Sequence, residues 1–439
     1  MKFLLSYWRL VSGNRNFRLL WIAQIVSEIG DWFYALAIYS LILELTGRAE
    51  LVSLAVVLQV LPQAILAPTT GVINDRLSRK QVMIAADVVR IFIVLGMLLV
   101  RSRETVWLIY PLLFVETIGW GFFEPARSAV IPNITDGDDV LTANTLSSTT
   151  WSFNLAVGAT LGGAVAAFLG RETVFVLNAL SFLVSAWCLR AMRFKEPHLQ
   201  ESPPMRWRDL GDLSPILEGF RYMRSDRFLG STMMVKGGLG FLGANLVLLP
   251  VLGHRIFPVA MQGYPAERGA MLGMSVLMGS RGIGALLGPF VSSPWAGMGE
   301  GRLRRGIVFG FIAASLGYVL LSQAPSLWVA CLLIVLAHGG GSTIWVFSTT
   351  LLQMYSHDRF RGRVFGTELA LNMVAISISS SIAGLLVDHG ISPRTAVLVT
   401  GCLLLIPAGL WSTTLRWKRT VPLGGGHSPP RAGEITPPL

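Results

Sequence analysis

Charged side chains are scarce in this sequence. Of its 439 residues, 25 are acidic and 36 are basic, which makes 14% of the chain charged, against about 25% in an ordinary soluble protein. Hydrophobic residues make up 52%, and the mean hydropathy is +0.58. This composition excludes a disordered chain and an ordinary soluble enzyme, and it favours a protein that lies in a membrane.

Cysteine is also rare, and familiar catalytic motifs are missing. The three cysteines, Cys188, Cys331 and Cys402, lie in or beside apolar runs, and no pair of them has the spacing of a metal site. The sequence contains no Walker loop, no H-E-x-x-H motif and no Ser-His-Asp arrangement. We therefore expect no catalytic residue, no metal and no cofactor, and an ion gradient rather than ATP as the energy source.

Long apolar runs are the main feature that is present. A helix needs about 20 mostly apolar residues to cross a bilayer. The runs are continuous and lack the alternation of membrane strands, so they predict helices rather than a barrel. Twelve runs are long enough, at residues 17–45, 50–73, 81–100, 105–131, 140–169, 172–192, 228–252, 269–295, 306–322, 327–354, 364–388 and 394–415.

Positive charges are distributed unevenly around these runs. If both termini lie inside, the inner segments hold 26 Lys and Arg residues, the outer loops hold 7, and Arg90, Lys236 and Arg281 lie within runs. This asymmetry follows the positive-inside rule and predicts cytoplasmic termini. The net charge of +11 then indicates contact with anionic membrane lipids rather than with nucleic acid.

The runs divide into two halves of six. Residues 1–192 form the predicted N-terminal bundle, and residues 228–416 form the C-terminal bundle. The polar linker at 193–227 contains apolar residues at helical spacing, which predict a short amphipathic helix on the inner surface: Leu213, Ile216, Leu217, Phe220 and Met223. Residues 417–439 are rich in Pro and Gly and predict a disordered cytoplasmic tail.

One loop carries a motif with a known counterpart. The pattern G-x-x-x-D-R-x-x-R-K at residues 71–80, in a chain of six plus six runs with a central loop, resembles the signature of the major facilitator superfamily. Other segments resemble its drug-efflux branch, which includes enterobactin and macrolide exporters: residues 30–33, 122–127, 143–144 and 361–366. The resemblance covers nearly the whole chain, and it implies two six-helix bundles, alternating access and export.

The same loop is the predicted gate. By resemblance, Asp75 would dock against the start of the eleventh run and hold the outward-facing state, with Arg127 nearby as a partner. Gly71 would let two helix ends approach, and the loop cations would face anionic headgroups. The alternative is a basic loop with no gating role. The predicted gating residues are Gly71, Asp75, Arg76, Arg79, Lys80 and Arg127.

Charged groups within the first six runs suggest a proton site, because such groups are costly in a membrane and are commonly functional. A proton-coupled antiporter needs a carboxylate whose protonation competes with substrate. Asp31 is the preferred candidate, with Glu28 or Glu116 as the second, and Arg90 in the third run is placed to pair with Asp31. The alternative is a static Asp31–Arg90 pair with a structural role.

The second half offers cations instead. Lys236 and Arg281 have no acidic partner in their own runs, so they predict contact with an anionic substrate group. The alternative pairs them with Glu368 in the eleventh run or with acids of the first half. His338, before three glycines, is a further candidate substrate contact in a locally unwound or closely packed helix. Trp32 and Trp120 are candidates for an aromatic pocket.

These patterns together predict an all-α polytopic membrane protein that is not an enzyme. We expect a monomeric inner-membrane transporter that exports an amphipathic organic compound in exchange for protons. The compound is drug-like or siderophore-like, with or without an anionic group. One alternative is a carrier or flippase of an anionic lipid or lysolipid. An alternative of another class is a non-transporting membrane scaffold or sensor.

Overall fold

The structure, a computed structural model, describes residues 2–417 except positions 137, 198, 200–220, 222, 224–225, 261, 264, 298 and 357. Twelve helices in this part of the chain are long and apolar enough to cross a membrane, which confirms the predicted fold class. The predicted linker helix lies outside the described residues except at Met223, and so does the tail beyond Trp417.

We number the membrane-spanning helices α1 to α12 in chain order. A short helix, Lys2–Gly13, precedes them. Their bounds are α1 Arg15–Thr46, α2 Ala49–Arg76, α3 Arg79–Gly96, α4 Ile109–Ile134, α5 Asp138–Leu169, α6 Arg171–Ala191, α7 Arg227–Leu239 with Asn245–Arg255, α8 Ala266–Ala296, α9 Glu300–Leu321, α10 Leu327–Tyr355, α11 Asp358–Asp388, and α12 Pro393–Leu403 with Leu405–Thr414.

The ends of the helices define two faces of the molecule. We call the side at Asn14, Leu77, Thr135 and Met192 the basic face, and the side at Gly47, Val100, Gly170 and Ile256 the opposite face. Local chemistry sets these ends. Asn14 accepts a hydrogen bond from Phe17 N and so caps α1. Gly47, with φ of 69°, ends the same helix in the left-handed conformation that glycine adopts without strain.

Two pairs of helices join the bundles, since α2 packs along α11 and α5 packs along α8. Small residues allow the close approach of α5 to its neighbours. A Cβ on Gly158 would lie 2.8 Å from Trp32 Cβ, and a Cβ on Gly162 would lie 2.6 Å from Phe33 Cα, both on α1. Gly163 faces Ser275 on α8. The glycines of α5 therefore serve close helix packing.

Helix α10 continues through the three glycines after His338. These glycines pack against α8, α9 and α7 in turn, so close helix packing rather than local unwinding accounts for them. In α7, a 3₁₀ segment at Gly240–Ala244 interrupts the helix. Serines of α11 donate to carbonyl groups of this segment, Ser379 to Gly240 O at 2.7 Å and Ser380 to Gly243 O at 2.9 Å, which satisfies backbone groups that the α-helix leaves free.

Candidate functional site

Arg90 on α3 is the centre of a buried charge cluster in the first bundle. Its Nη2 donates to both carboxylate oxygens of Asp31 on α1 at 2.7 Å, and its Nε donates to Glu116 Oε1 on α4 at 2.9 Å. A third carboxylate, that of Asp87, lies 3.8 Å from Arg90 Nη1. The predicted Asp31–Arg90 pair is therefore confirmed, and it is part of a larger cluster of three carboxyl groups around one guanidinium.

The members of this Arg90 cluster differ in exposure. The side chain of Asp31 is 24% exposed, whereas those of Arg90 and Asp87 are 1% and 0% exposed. In the described part of the chain, neither carboxylate oxygen of Asp87 has a hydrogen-bond partner. With all three carboxyl groups ionised, negative charge would exceed positive charge, so the cluster can take up protons without becoming cationic. Asp31 is more accessible to protons than Asp87.

Packing also holds the Arg90 side chain. Its Cζ lies 3.9 Å from the centre of the Phe182 ring on α6, which is a cation–π contact. The aliphatic part of the side chain crosses Gly119 on α4, where a Cβ would lie 2.9 Å from Arg90 Cγ. Three helices besides α3 therefore fix the position of the guanidinium: α1, α4 and α6.

Glu28, the second candidate proton site, belongs to a different network. It accepts from Asn154 Nδ2 on α5 at 2.7 Å and from Gln24 Nε2 at 2.9 Å. Gln24 also accepts from Arg127 Nη1 at 2.9 Å. Glu28 and Asp31 face different neighbours because side chains three residues apart on an α-helix point in directions about 60° apart.

Arg127, expected beside Asp75, is instead held within the first bundle. Its Nη1 donates to Gln24, and its Nε and Nη2 donate to Glu124. These nitrogens are thus engaged within the first bundle in this structure, and the proximity of Arg127 to Asp75 in the outward-facing state stays a prediction. The Asp75 side chain is 74% exposed and lies 3.6 Å from Arg79 Nη2. Its docking on the start of α11 concerns side chains outside the described part and stays a prediction.

The loop cations Arg79 and Lys80 do not extend to lipid headgroups as expected. Arg79 Nη1 donates to Ala129 O on α4 at 2.9 Å, and Lys80 Nζ donates to Met192 O after α6 at 2.8 Å. Glu196, which the sequence analysis missed, accepts from the backbone N–H of Arg79 at 2.7 Å. An acidic side chain at a helix N-terminus is favourable. These three contacts hold the loop against the first bundle.

Gly71 and Arg76 lie in the last turns of α2. A Cβ on Gly71 would meet no atom within 4 Å, so the expectation that Gly71 permits a close helix approach is wrong in this structure. Arg76 is half-buried at the end of the helix, where a cation complements the helix dipole.

Lys236 on α7 is paired, contrary to the expectation of an uncompensated cation. Its Nζ donates to Glu368 Oε2 on α11 at 2.8 Å, and both side chains are buried. The same Nζ lies 4.0 Å from the centre of the Trp345 ring. The alternative pairing with Glu368 is therefore the observed one, and it removes the reason for assigning substrate to Lys236.

Arg281 on α8 has a different environment. Its Nη1 is buried and has no hydrogen-bond partner among the described residues. Tyr39, Tyr318 and His338 lie within electrostatic range of Arg281, and none of the ion pairs among the described residues includes it. Its Cζ lies 5.8 Å from the centre of the Trp32 ring on α1. Arg281 thus lies where the two bundles meet.

Trp32, one of the two candidate aromatic residues, lies beside Arg281. The rings of Trp32 and Trp151 meet edge to face, with centres 6.1 Å apart, and Trp151 on α5 is exposed. Trp120 is half-buried on α4. His338 is buried, and its Nε2 lies 3.1 Å from the Tyr318 hydroxyl. A role for these four side chains in substrate binding stays a prediction.

Asp388 at the end of α11 joins the bundles at the opposite face. Its two carboxylate oxygens accept from the backbone N–H groups of Ala49 and Glu50, at 2.9 and 2.8 Å, so it caps the start of α2. Arg255 on α7 lies 3.9 Å from Asp388 and donates to Gly47 O at 2.6 Å. We call these contacts the Asp388 clasp. Asp388 lies at the end of a run, where the sequence gives no sign of its partner.

Comparison with known proteins agrees with this architecture. Residues 12–420 match the family described as transmembrane secretion effector, MFS_3. Macrolide efflux protein A of Streptococcus pyogenes is 23% identical, and the alignment covers 89% of this chain and 93% of that protein. The putative bacilysin exporter BacE of Bacillus subtilis (strain 168) is 24% identical, with 91% and 93% covered.

A solved structure shows the same fold. The nucleoside transporter NupG superposes with a TM-score of 0.69 at 13% identity, covering 92% of this chain and 100% of the other. The chain thus belongs to the transmembrane secretion effector family of the major facilitator superfamily. It is a multi-pass membrane transporter of this secretion family and not an enzyme.

Proposed function

We propose that this transporter exports an amphipathic organic molecule in exchange for protons, and that Asp31 carries the proton. The observation that supports this most strongly is the Arg90 cluster. Three carboxyl groups share one guanidinium, and Asp31 is the most exposed of the three. Because the side chain of Asp31 is 24% exposed and that of Asp87 is 0% exposed, a proton would reach Asp31 before Asp87.

Protonation of Asp31 changes the charge of a helix that contacts both bundles. When Asp31 becomes neutral, its interaction with Arg90 Nη2 weakens. Glu116 still accepts the hydrogen bond from Arg90 Nε. Arg90 therefore remains compensated in both states. Helix α1 carries Asp31 and, next to it, Trp32, which faces Arg281 of the second bundle. Protonation of Asp31 can therefore affect the contact between Trp32 and Arg281, which lies at the interface between the bundles.

Alternating access follows from contacts that form at one face at a time. The Asp388 clasp joins α2 to α11 at the opposite face. At the basic face, Asp75 at the end of α2 would cap the start of α11, as the gating motif predicts. Helices α2 and α11 run antiparallel, so each would carry an aspartate that caps the other. A ligand moves this equilibrium only by its different affinity for the two states.

The basic face is proposed to be cytoplasmic, with both termini inside and the protein in the inner membrane as a monomer. The distribution of Lys and Arg supports this orientation. Antiport is tested with purified protein in proteoliposomes that contain a pH-sensitive dye. Under an imposed pH gradient, substrate from a broad panel should drive proton flux, and Asp31→Asn should abolish it. Equal flux in the variant would contradict the proposal.

A carrier of anionic lipid or lysolipid is the second candidate, and one observation favours it. A groove of about 390 Å³ lies between α8, α9 and α10 within the membrane-spanning region, and Val291 and Phe309 on its walls are exposed. A fluorescent lysophosphatidylglycerol in proteoliposomes tests this candidate. Transport that Ala313→Phe in the groove blocks would support lipid carriage, whereas transport equal to that of empty liposomes would exclude it.

A further inference from the structure

Arg281 differs from the buried cations Arg90 and Lys236 because it forms no ion pair with a carboxylate among the described residues. Arg90 holds Asp31 and Glu116, and Lys236 holds Glu368. Arg281 Nη1, in contrast, is buried without a hydrogen-bond partner in the part of the chain that the structure describes. A guanidinium does not lose its proton in proteins. The charge therefore persists, and no carboxylate of the described residues pairs with it.

Helix packing places this charge at the interface of the bundles. Gly279 and Gly282, on either side of Arg281, pack against Thr160 and Ala156 of α5. This contact belongs to the α5–α8 pair, which joins the first bundle to the second. A group bound by Arg281 would therefore touch both bundles, which is where a transported molecule must bind to affect their relative position.

The surroundings of Arg281 are aromatic and neutral. Trp32 lies 5.8 Å from Arg281 Cζ, and the exposed Trp151 meets the Trp32 ring edge to face. Tyr39 donates to Gln59 Oε1 at 2.5 Å, and Tyr318 shares a hydrogen bond with His338. These hydroxyls are thus already engaged with neutral side chains. Arg281 Nη1, which has no hydrogen-bond partner among the described residues, is left to bind an external acceptor.

We infer that Arg281 binds an anionic group of the cargo, a carboxylate or a phosphate, while Trp32 and Trp151 contact an adjacent flat apolar group. The planar guanidinium suits two-oxygen anions because it can donate two parallel hydrogen bonds. The inference rests on the proposed transport function and adds a substrate class to it, an aromatic or flat organic anion. The other source of an anion is the protein itself, if Asp31 moves to Arg281 in another state.

A matched set of probes tests this inference on the full-length protein in detergent. The probes are 2-naphthoate, its neutral amide 2-naphthamide and the cationic 2-naphthylmethylammonium, and the measurement is equilibrium binding by calorimetry. We expect 2-naphthoate to bind at least tenfold more tightly than the other two, and Arg281→Gln to remove this preference. Arg305→Gln, which changes an exposed arginine of α9, is the control and should bind as the wild type does.

Equal binding of the three probes, or unchanged 2-naphthoate binding by Arg281→Gln, would overturn the inference. So would loss of the preference in Asp31→Asn alone, since that points to a pairing within the protein. The assay contains no pH gradient, so its outcome is independent of proton coupling. As a second readout, Arg281→Gln should raise the melting temperature without ligand, because it removes an unpaired buried charge, whereas a lower melting temperature would show that the protein balances the charge.

Discussion

Arg90 Nη2 lies 2.7 Å from both carboxylate oxygens of Asp31 and thereby joins α3 to α1 in the interior of the first bundle. The same guanidinium also donates to Glu116 through Nε. Loss of the charge on Asp31 and loss of the charge on Arg90 therefore have different consequences. Loss of charge on Asp31 leaves Arg90 with a partner, whereas loss of Arg90 leaves several buried carboxyl groups without their cation.

This asymmetry predicts opposite effects of two substitutions. Asp31→Asn should leave the thermal stability close to that of the wild type and abolish transport driven by a pH gradient. Arg90→Leu should destabilise the protein by about 3–5 kcal/mol, the usual cost of removing one partner from a buried ion pair. Thermal unfolding in detergent and dye-reported proton flux measure the two effects.

The exposed Glu172, whose side chain is 71% exposed, provides the control. Glu172→Gln should change neither stability nor flux. If Asp31→Asn instead prevents folding, then the pair has a purely structural role and the proton site lies elsewhere.

Two glycines on α4 give a second, matched prediction. A Cβ on Gly119 would lie 2.9 Å from Arg90 Cγ, whereas a Cβ on Gly121 would meet nothing within 4 Å. Gly119→Ala should therefore displace Arg90 and cost about 1–3 kcal/mol of overpacking, with loss of proton flux. Gly121→Ala should be neutral or stabilising by up to about 1 kcal/mol, because alanine favours a helix. Equal flux in both variants would show that the position of Arg90 does not matter for coupling.

The Lys236–Glu368 pair predicts strong coupling between two substitutions. Each side chain is buried, so Lys236→Met or Glu368→Gln alone should destabilise by about 3–5 kcal/mol by leaving an unpaired charge. The double variant should recover most of this loss, because neither charge remains. A double-mutant cycle of unfolding free energies measures the recovery. Additive losses would mean that the two charges do not depend on one another.

The Asp388 clasp predicts a shift between conformations. Hydrogen bonds to a charged acceptor contribute about 1.5–3 kcal/mol each, and every 1.4 kcal/mol changes an equilibrium about tenfold. Asp388→Ala should therefore increase the population that is open at the opposite face by about tenfold or more. Reaction of a thiol reagent with Ser53→Cys, an isosteric change at a buried position that faces Gly384 across the bundles, reports the opening. An unchanged rate of reaction in Asp388→Ala would contradict the role of the clasp.

The sequence was sufficient to predict the fold, because long apolar runs and a loop motif constrain a membrane protein strongly. The lipid environment requires every backbone group in a span to be satisfied within the helix, so run length alone indicates twelve crossings. The break in α7 could not be predicted in the same way. It depends on Ser379 and Ser380 of α11, which donate to the free carbonyls from more than a hundred residues along the chain.

The candidate site could be predicted only in part. Asp31 and Arg90 belong to the same bundle, and their opposite charges suffice to suggest a pair. Lys236 and Glu368 are separated by 132 residues, so spacing alone does not bring them together, and Lys236 looked uncompensated. Glu196 and Asp388 act on backbone N–H groups at helix starts. No side-chain pattern marks such acceptors, and only the folded arrangement of helix ends shows them.

The measurement that tests the central claim most directly is the pH dependence of the distance between the bundles. Spin labels at Lys195→Cys, just after α6 of the first bundle, and at Arg305→Cys on α9 of the second report this distance in a variant whose native cysteines are replaced by alanine. Both positions are exposed near the basic face. No substrate is needed. If Asp31 carries the coupling proton, the distance distribution of the wild type changes between pH 5 and pH 9 (about the range over which a buried carboxyl group can titrate), and Asp31→Asn gives one distribution at both. A pH response in Asp31→Asn equal to that of the wild type would contradict the account.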